Sequence, residues 1–455
     1  MSIPSSKSEN ILLQRLLSGG IWTVLGRVVT VAAGFVVNAL IARMIPVGEV
    51  GAYFLLVSVV TVGSIIASLG LQVAVVRLVA QAVANQLRGV ARATIVAVLR
   101  IGTISSIVVA VIIGLGGDII ASHIFNAPII TQVAWDAAVW MVTIVILNLL
   151  AESFRGFHDF RLATIFSNNT CTNVLMMIAL GVTVAFHKKT DLQFILVLAI
   201  SSGVLSILIA ASAMRKRLKK LDRSDNFRAL SVLQVGLPLM ISSVAIFLLT
   251  QADLWIIGIS ASAEDVAMYG ATTRLGQLVY MPLLISNTLL PPFISEMYSQ
   301  RKIKQLENVM RVASTLSAFS AAIVLLVVFF AGETILTLAY GEYYRKAHLL
   351  LVLICVGQFV NVWSGSGMIT LINTGHQKAV MNISFIFGGL IVIGALVVVK
   401  QYGITGVALV TGLVTAAQAL FVLFWVKKKT DIWTHASPRY LSLAWQKFAG
   451  AKSVL

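Results

Sequence analysis

Glu49-Val50-Gly51-Ala52-Tyr53 returns as Asp265-Val266-Ala267-Met268-Tyr269, 216 residues further on. Working outward, Gly117-Asp118-Ile119-Ile120 is echoed by Gly332-Glu333-Thr334-Ile335, and Phe125-Asn126 by Tyr340-Gly341, both at 215. Gly156-Phe157-His158 is echoed by Gly375-His376, at 219 on the glycines. Each echo is weak alone. Four in the same order at nearly constant spacing mark a duplication. Each half carries about six long apolar stretches, and a duplicated helical bundle in lipid is the build of a two-lobed transporter.

The 455 residues are 58% hydrophobic and 11% charged. A soluble domain carries roughly 25% charged residues, so this chain lacks the polar surface that water requires. Lipid accommodates it, and long apolar runs with internally paired backbone mean helices. The first apolar run is too long for a signal peptide and lacks a small-residue cleavage site, so it is expected to remain as a span. The spans expected are 20–42, 52–76, 96–117, 134–154, 162–186, 194–213, 235–258, 269–292, 312–331, 348–372, 382–399 and 406–426. That is an all-α membrane protein of about twelve transmembrane helices in two parallel six-helix repeats.

The net charge of +17 invites a nucleic-acid reading, but its distribution excludes one. With the N-terminus inside, 26 Lys and Arg fall on cytoplasmic segments and 6 on outer loops. Such a bias puts both termini in the cytoplasm. The expected division is a cytoplasmic interfacial segment 1–19, an N-lobe 20–213, a basic linker 214–230, a C-lobe 231–426 and a cytoplasmic tail 427–455. The linker run Arg215-Lys216-Arg217-Leu218-Lys219-Lys220 reads as an anchor on anionic lipid. Residues 10–18 and the tail around Trp433, Tyr440, Leu441, Leu443 and Trp445 read as short interfacial helices.

The sequence shows no Walker A motif, no His-Glu-x-x-His and no Cys/His cluster. Trp363-Ser364-Gly365-Ser366-Gly367 resembles a nucleophile elbow superficially, with the wrong spacing, and reads as a close-packing site within a span. Cys171 and Cys355 read as isolated core residues. No enzyme, catalytic residue, metal ligand or cofactor is expected.

Ionisable residues inside spans carry the functional information, because each costs a few kcal/mol at that depth unless it meets water or a partner. Arg27 lies about seven residues into the first span, roughly 10 Å deep. Snorkelling to the interface and a functional role weigh equally for it. Asp253 and Arg274 fall at similar depth on consecutive antiparallel spans. They could form a structural ion pair or a switchable pair linked to proton or sodium coupling. Arg43 and Arg77 sit at span ends, within reach of an interface. Glu152 and Arg155 stand three apart and could neutralise each other. Asn38 and other span amides could line a cavity or join helices, and Pro238 and Pro282 are expected to kink their spans. The candidate substrate-binding residues are Arg27, Arg274, Asp253, Asn38, Arg43 and Arg77, with Asp253 also the coupling candidate.

The loop Ala42-Arg43-Met44-Ile45-Pro46-Val47-Gly48-Glu49-Val50-Gly51-Ala52-Tyr53 resembles the polysaccharide transporter branch of the MOP superfamily, the Wzx-type flippases. Leu69–Arg77, Leu150–Gly156, Tyr340–Tyr344 and Tyr402-Gly403-Ile404-Thr405-Gly406 fit the same pattern, so the resemblance covers nearly the whole chain. It implies a fold similar to MATE exporters, two lobes around a V-shaped cavity walled mainly by spans one, two, seven and eight. It implies flipping of undecaprenyl-diphosphate-linked oligosaccharide, an O-antigen, exopolysaccharide or capsule unit, across a bacterial inner membrane by alternating access. The partners implied are that lipid-linked glycan, membrane lipids, and a polysaccharide polymerase with its chain-length regulator; a monomer is expected, with no nucleic acid. A MATE-type multidrug or cation antiporter is the rival, disfavoured because the first span carries Arg27 and no acid. A membrane glycosyltransferase or polymerase of the same pathway is disfavoured by the short outer loops.

Overall fold

The computed structural model describes residues 6–125, 127–186, 190–222 and 230–440. Among them there is no strand. The helices run α1 (Ser6–Met44), α2 (Val47–Ser68), α3 (Leu71–Ala84), α4 (Arg88–Leu115), a short α5 (Gly117–Ile119) continuing into a π turn, α6 (Ile129–Gly156), α7 (Phe160–Phe166), α8 (Thr170–Ala185) and α9 (Leu192–Leu218). The second series is α10 (Leu230–Ser260), α11 (Ala263–Ser299), α12 (Ile303–Tyr340), a 3₁₀ turn (Glu342–Ala347), α13 (His348–Ser364), α14 (Gly367–Asn373) and α15 (Gln377–Thr430).

The duplication survives as element boundaries. α1 and α10 end at Met44 and Ser260, and α2 and α11 begin at Val47 and Ala263, both 216 apart. α4 and α12 begin at Arg88 and Ile303, 215 apart. The turn before α7 uses His158 in left-handed backbone (φ 59°), and the turn before α15 uses Gly375 (φ 87°). Both turns stop a helix in the way a left-handed residue does.

Ten described helical segments are long and apolar enough to cross a membrane, and the broken α10 adds an eleventh. α15, at 54 residues, would run about 81 Å. That is more than twice the roughly 30 Å hydrocarbon core. Gly403, at φ 55° and ψ −151°, breaks it into two, which yields the twelve expected spans. Large apolar side chains such as Leu115, Phe330, Leu338 and Val397 stand exposed on the helix surfaces, as lipid contact requires.

Several spans are broken where continuous helix was expected. The span 52–76 divides at Leu69 and Gly70, both left-handed. Gly70 is needed there for a second reason: a Cβ would lie 2.0 Å from the Gly236 carbonyl oxygen. The span 162–186 divides at Ser167–Asn169, where Asn168 and Asn169 are left-handed. The span 348–372 divides at Gly365 (φ 83°), so the Trp363–Gly367 stretch is a helix break as well as the close-packing site expected: a Cβ at Gly367 would lie 2.6 Å from Val422 Cγ1. Pro238 and Pro282 are carried inside α10 and α11. The break in α10 comes later than Pro238, between Phe247 and Leu249.

The two ends also differ from expectation. Residues 10–18 continue into α1 rather than forming a separate helix. Residues 431–438 are non-helical, with Ile432, Thr434 and Ala436 buried in alternation. That alternation has a period of two, not the 3.6 of an interfacial helix. Leu441, Leu443 and Trp445 lie outside the described residues.

The chain forms two compact units, Met1–Val244 and Ala245–Leu455. The division falls inside α10, beyond the basic linker 214–230; residues 223–229 of that linker lie outside the described residues. In the first unit, Glu49 of the opening stretch accepts from the Leu192 amide at 2.8 Å, and Thr190 donates to the Met44 carbonyl at 3.0 Å. A carboxylate at the first turn of α9 satisfies an orphan N–H and meets the positive end of the helix dipole. In the second unit the matching Asp265 serves its own helix: Ser262 caps α11 by accepting from the Asp265 amide at 3.2 Å.

Candidate functional site

In the first unit, α1 presents Gly26, Thr30, Gly34 and Asn38 at four-residue spacing, one stripe of a helix. A Cβ at Gly26 would come within 1.9 Å of Thr164, so this stripe seats α1 against α7. Thr30 pairs with Thr170 of α8 at 2.5 Å. Small residues permit this approach and hydroxyls bond across it. Arg27 is one residue, about 100°, around from Gly26, and is half-buried. Asn38 spends its amide on its own helix, donating to the Gly34 carbonyl at 2.6 Å. Arg43 is exposed in the last turn of α1. Arg77 is exposed on α3, beyond the Leu69–Gly70 break, not at the end of one continuous span. Glu152 and Arg155 do neutralise each other, at 2.8 Å.

In the second unit Asp253 is 6% exposed. Its Oδ2 accepts from the Tyr269 hydroxyl at 2.5 Å and from Thr411 Oγ1 at 3.2 Å, while Oδ1 accepts from the Leu254 amide at 2.9 Å. Tyr269 and Thr411 are also within 3.1 Å of each other. The expected pair of Asp253 with Arg274 is not formed. Tyr269 and Arg274 are five residues apart on α11, about 140° around the helix, so both cannot face one carboxylate. Arg274, half-buried, acts electrostatically on Tyr340 instead.

The depth of Asp253 was evident in the sequence; its partners Tyr269 and Thr411 were not. At an offset of 216, Asp253, Tyr269 and Thr411 stand where the first unit has Val37, Tyr53 and Ile195. Those three are also buried, but the Val37 and Ile195 side chains have no polar atoms, and the Tyr53 ring stacks on Trp140 at 6.3 Å. One copy of a shared core position has been made titratable.

The arrangement can hold or release a proton. Tyr269 has one hydroxyl hydrogen and two acceptors in reach, Asp253 at 2.5 Å and Thr411 at 3.1 Å. With Asp253 ionised the phenol donates to the carboxylate; with Asp253 protonated it can turn to Thr411. Hydrogen bonds to a charged group contribute about 1.5–3 kcal/mol each, which offsets part of the cost of burying the charge.

The family described as "Polysaccharide biosynthesis protein" matches residues 16–298, more than half of the chain, and the MatE family matches residues 238–398. No curated protein matches the sequence. Among solved structures, the chain is similar to an inward-facing multidrug resistance MATE family transporter of the MOP superfamily (TM-score 0.70, 15% identity, 90% of this chain and 98% of that one). It is similar to the lipid II flippase MurJ in an inward closed conformation (TM-score 0.70, 13% identity, 90% and 87%). It is also similar to a MOP superfamily transporter from Pyrococcus furiosus whose binding pocket has reverse polarity (TM-score 0.62, 16% identity, 92% and 96%). At these identities the structures speak for the fold, and the match over residues 16–298 speaks for the family. The chain belongs to the polysaccharide biosynthesis protein family and is a multi-pass membrane protein.

Proposed function

We propose that the chain is a flippase that moves undecaprenyl-diphosphate-linked oligosaccharide, a unit of O-antigen, exopolysaccharide or capsule, from the inner to the outer leaflet of a bacterial inner membrane. The observation that carries this reading is the polysaccharide biosynthesis family match over residues 16–298. Both termini lie in the cytoplasm in this reading, supported by the Lys and Arg bias. Arg27 and Arg274, each half-buried on a span, are the cations assigned to the diphosphate, because a guanidinium offers paired donors to phosphate oxygens. Arg43, Arg77 and Asn38 are secondary candidates: the first two are exposed and the third is bonded to its own helix. The sugar crosses in a wet path while the polyprenyl tail stays in lipid, and the two units rock to alternate access.

Asp253 is assigned to coupling, by a proton rather than sodium. Both of its oxygens already accept from N–H and O–H donors. Displacing those donors with a metal ion would leave the hydroxyls to be re-paired, whereas a proton needs only that Tyr269 turn.

The match of residues 238–398 to the MatE family favours one competitor, a drug or cation antiporter. Deletion of this chain from its host separates the two. The flippase reading expects lipid-linked oligosaccharide to build up on the inner leaflet and surface glycan to fall. Unchanged surface glycan with accumulation of cationic dyes inside the cells would replace it with the antiporter.

A further inference from the structure

After α15 ends at Thr430, residues 431–440 lie back across the second unit. Ile432 is fully buried in a core with Leu306, Met310, Leu371 and Val426. Thr434 donates to the Ser364 carbonyl at 2.8 Å, and the Ala436 amide to the Trp363 carbonyl at 2.8 Å. The Ser437 amide donates to Thr315 at 3.0 Å. The segment therefore spans α12, the end of α13 and the helix break at Gly365. That glycine admits it: a Cβ there would lie 2.1 Å from the Thr434 carbonyl oxygen.

His435 is the titratable group in this clasp. Its ring packs against Trp363 and Trp433, and its Nε2 lies 3.0 Å from Arg311 Nη2 of α12. A guanidinium has donors and no acceptor. The contact therefore requires an unprotonated Nε2 and puts the imidazole proton on Nδ1, which is buried without a partner. The first unit also holds the segment after its last helix by an arginine, though not one at the position of Arg311: at the 215 offset Arg92 stands opposite Glu307. There Arg92 of α4, the counterpart of α12, donates at 2.9 Å to the Leu221 carbonyl, in the segment that follows α9. A carbonyl accepts at every pH; an imidazole does not.

We propose that residues 431–440 form an acid-sensitive strap, held on the second unit by neutral His435 and loosened when that imidazole is protonated. Protonation puts an N–H against the Arg311 guanidinium and removes the acceptor. The other charged and titratable groups around the ring are Glu307 on α12, Lys427 on α15, and Asp431, Arg439 and Tyr440 on the strap itself. Glu307 holds Arg311 at 3.7 Å and accepts from the Trp433 amide at 3.3 Å, and it opposes the effect. Lys427 is engaged with Asp431 and with the Trp433 ring, and Tyr440 lies under Arg311. Burial and then Arg311 hold His435 below its ordinary value, with Glu307 pulling the other way. A group held low binds fewer protons when docked than when free. Docking is therefore fully stable above the ordinary imidazole range and weakens as pH falls through it. Loosening frees the Gly365 break, so acid at the strap would change how α13 and α14 move.

The test is a spin label at Pro438→Cys in the full chain, with Cys171→Ser, in lipid nanodiscs. Label mobility is expected to rise as pH falls below about 6.5. In His435→Gln, whose amide oxygen still accepts from Arg311, the label should stay immobile from pH 8 to pH 5. Flat mobility over that range in the His435 protein would overturn the proposal. So would the same transition in His435→Gln, or a label already mobile at pH 8.

Discussion

At Asp253, gaining a proton changes what two neighbouring hydroxyls bond to, and this makes it the residue on which coupling is expected to rest. Asp253→Asn keeps the shape and an acceptor for Tyr269 but cannot titrate. It should insert and fold normally, while the pH dependence of transport flattens; a variant with the original pH profile would remove Asp253 from coupling. Tyr269→Phe takes away one hydrogen bond to a buried carboxylate, about 1.5–3 kcal/mol, and should slow transport by about tenfold to a hundredfold. Arg27→Ala should abolish glycan export at unchanged protein level, with Arg27→Lys keeping part of it; normal export by the alanine variant would show that Arg27 snorkels. The sequence made Asp253 conspicuous, because an acid inside an apolar span is expensive. It misdirected the partner, because similar depth says nothing about helical phase, and Arg274 is turned away. Thr411 is 158 residues from Asp253, and no local pattern points to it.

At the scale of elements, spans were readable because length and hydropathy define them, and breaks were not. Leu69-Gly70, Ser167-Asn168-Asn169 and Gly365-Ser366 interrupt the apolar runs for two or three residues each. That is too short to lower the average over a span. What makes each a break is a left-handed backbone or a tight approach, seen at Gly70 against Gly236, where two backbones meet without side chains between them. A Cβ at Gly236 would lie 2.5 Å from the Leu69 carbonyl oxygen, a rigid backbone atom. Gly236→Ala should therefore destabilise by about 1–3 kcal/mol, measured as a lower melting temperature in detergent. Gly181→Ala is the control. It has nothing within 4 Å and sits within α8, where alanine favours helix by up to about 1 kcal/mol, so its melting temperature should hold or rise. Equal losses in both variants would mean that the Gly70–Gly236 approach is not a tight contact.

At the scale of the whole molecule, the repeat explains the frame and its exceptions mark the function. Three pairs of helix ends, Met44 and Ser260, Val47 and Ala263, Arg88 and Ile303, keep one offset to within a residue, yet the breaks fall in different spans and the buried charges do not match. Val37, Tyr53 and Ile195 are buried where, at an offset of 216, Asp253, Tyr269 and Thr411 form a hydrogen-bonded cluster. A carbonyl clasps the segment after α9 where an imidazole clasps the segment after α15. The duplication was legible in four short echoes, because turns and glycines are constrained by backbone geometry and keep their identity. The asymmetric chemistry was only half legible, because it is assembled from residues far apart in the chain. The central claim is that this chain flips a polyprenyl-diphosphate-linked oligosaccharide. It is tested most directly by reconstituting the purified protein in sealed vesicles carrying that lipid, and following the glycan with a membrane-impermeant glycosidase. If the account is right, glycan on the inner leaflet becomes cleavable with the protein and stays protected with Arg27→Ala or with empty vesicles. Equal protection with and without the protein, across an imposed proton gradient of either sign, would contradict it.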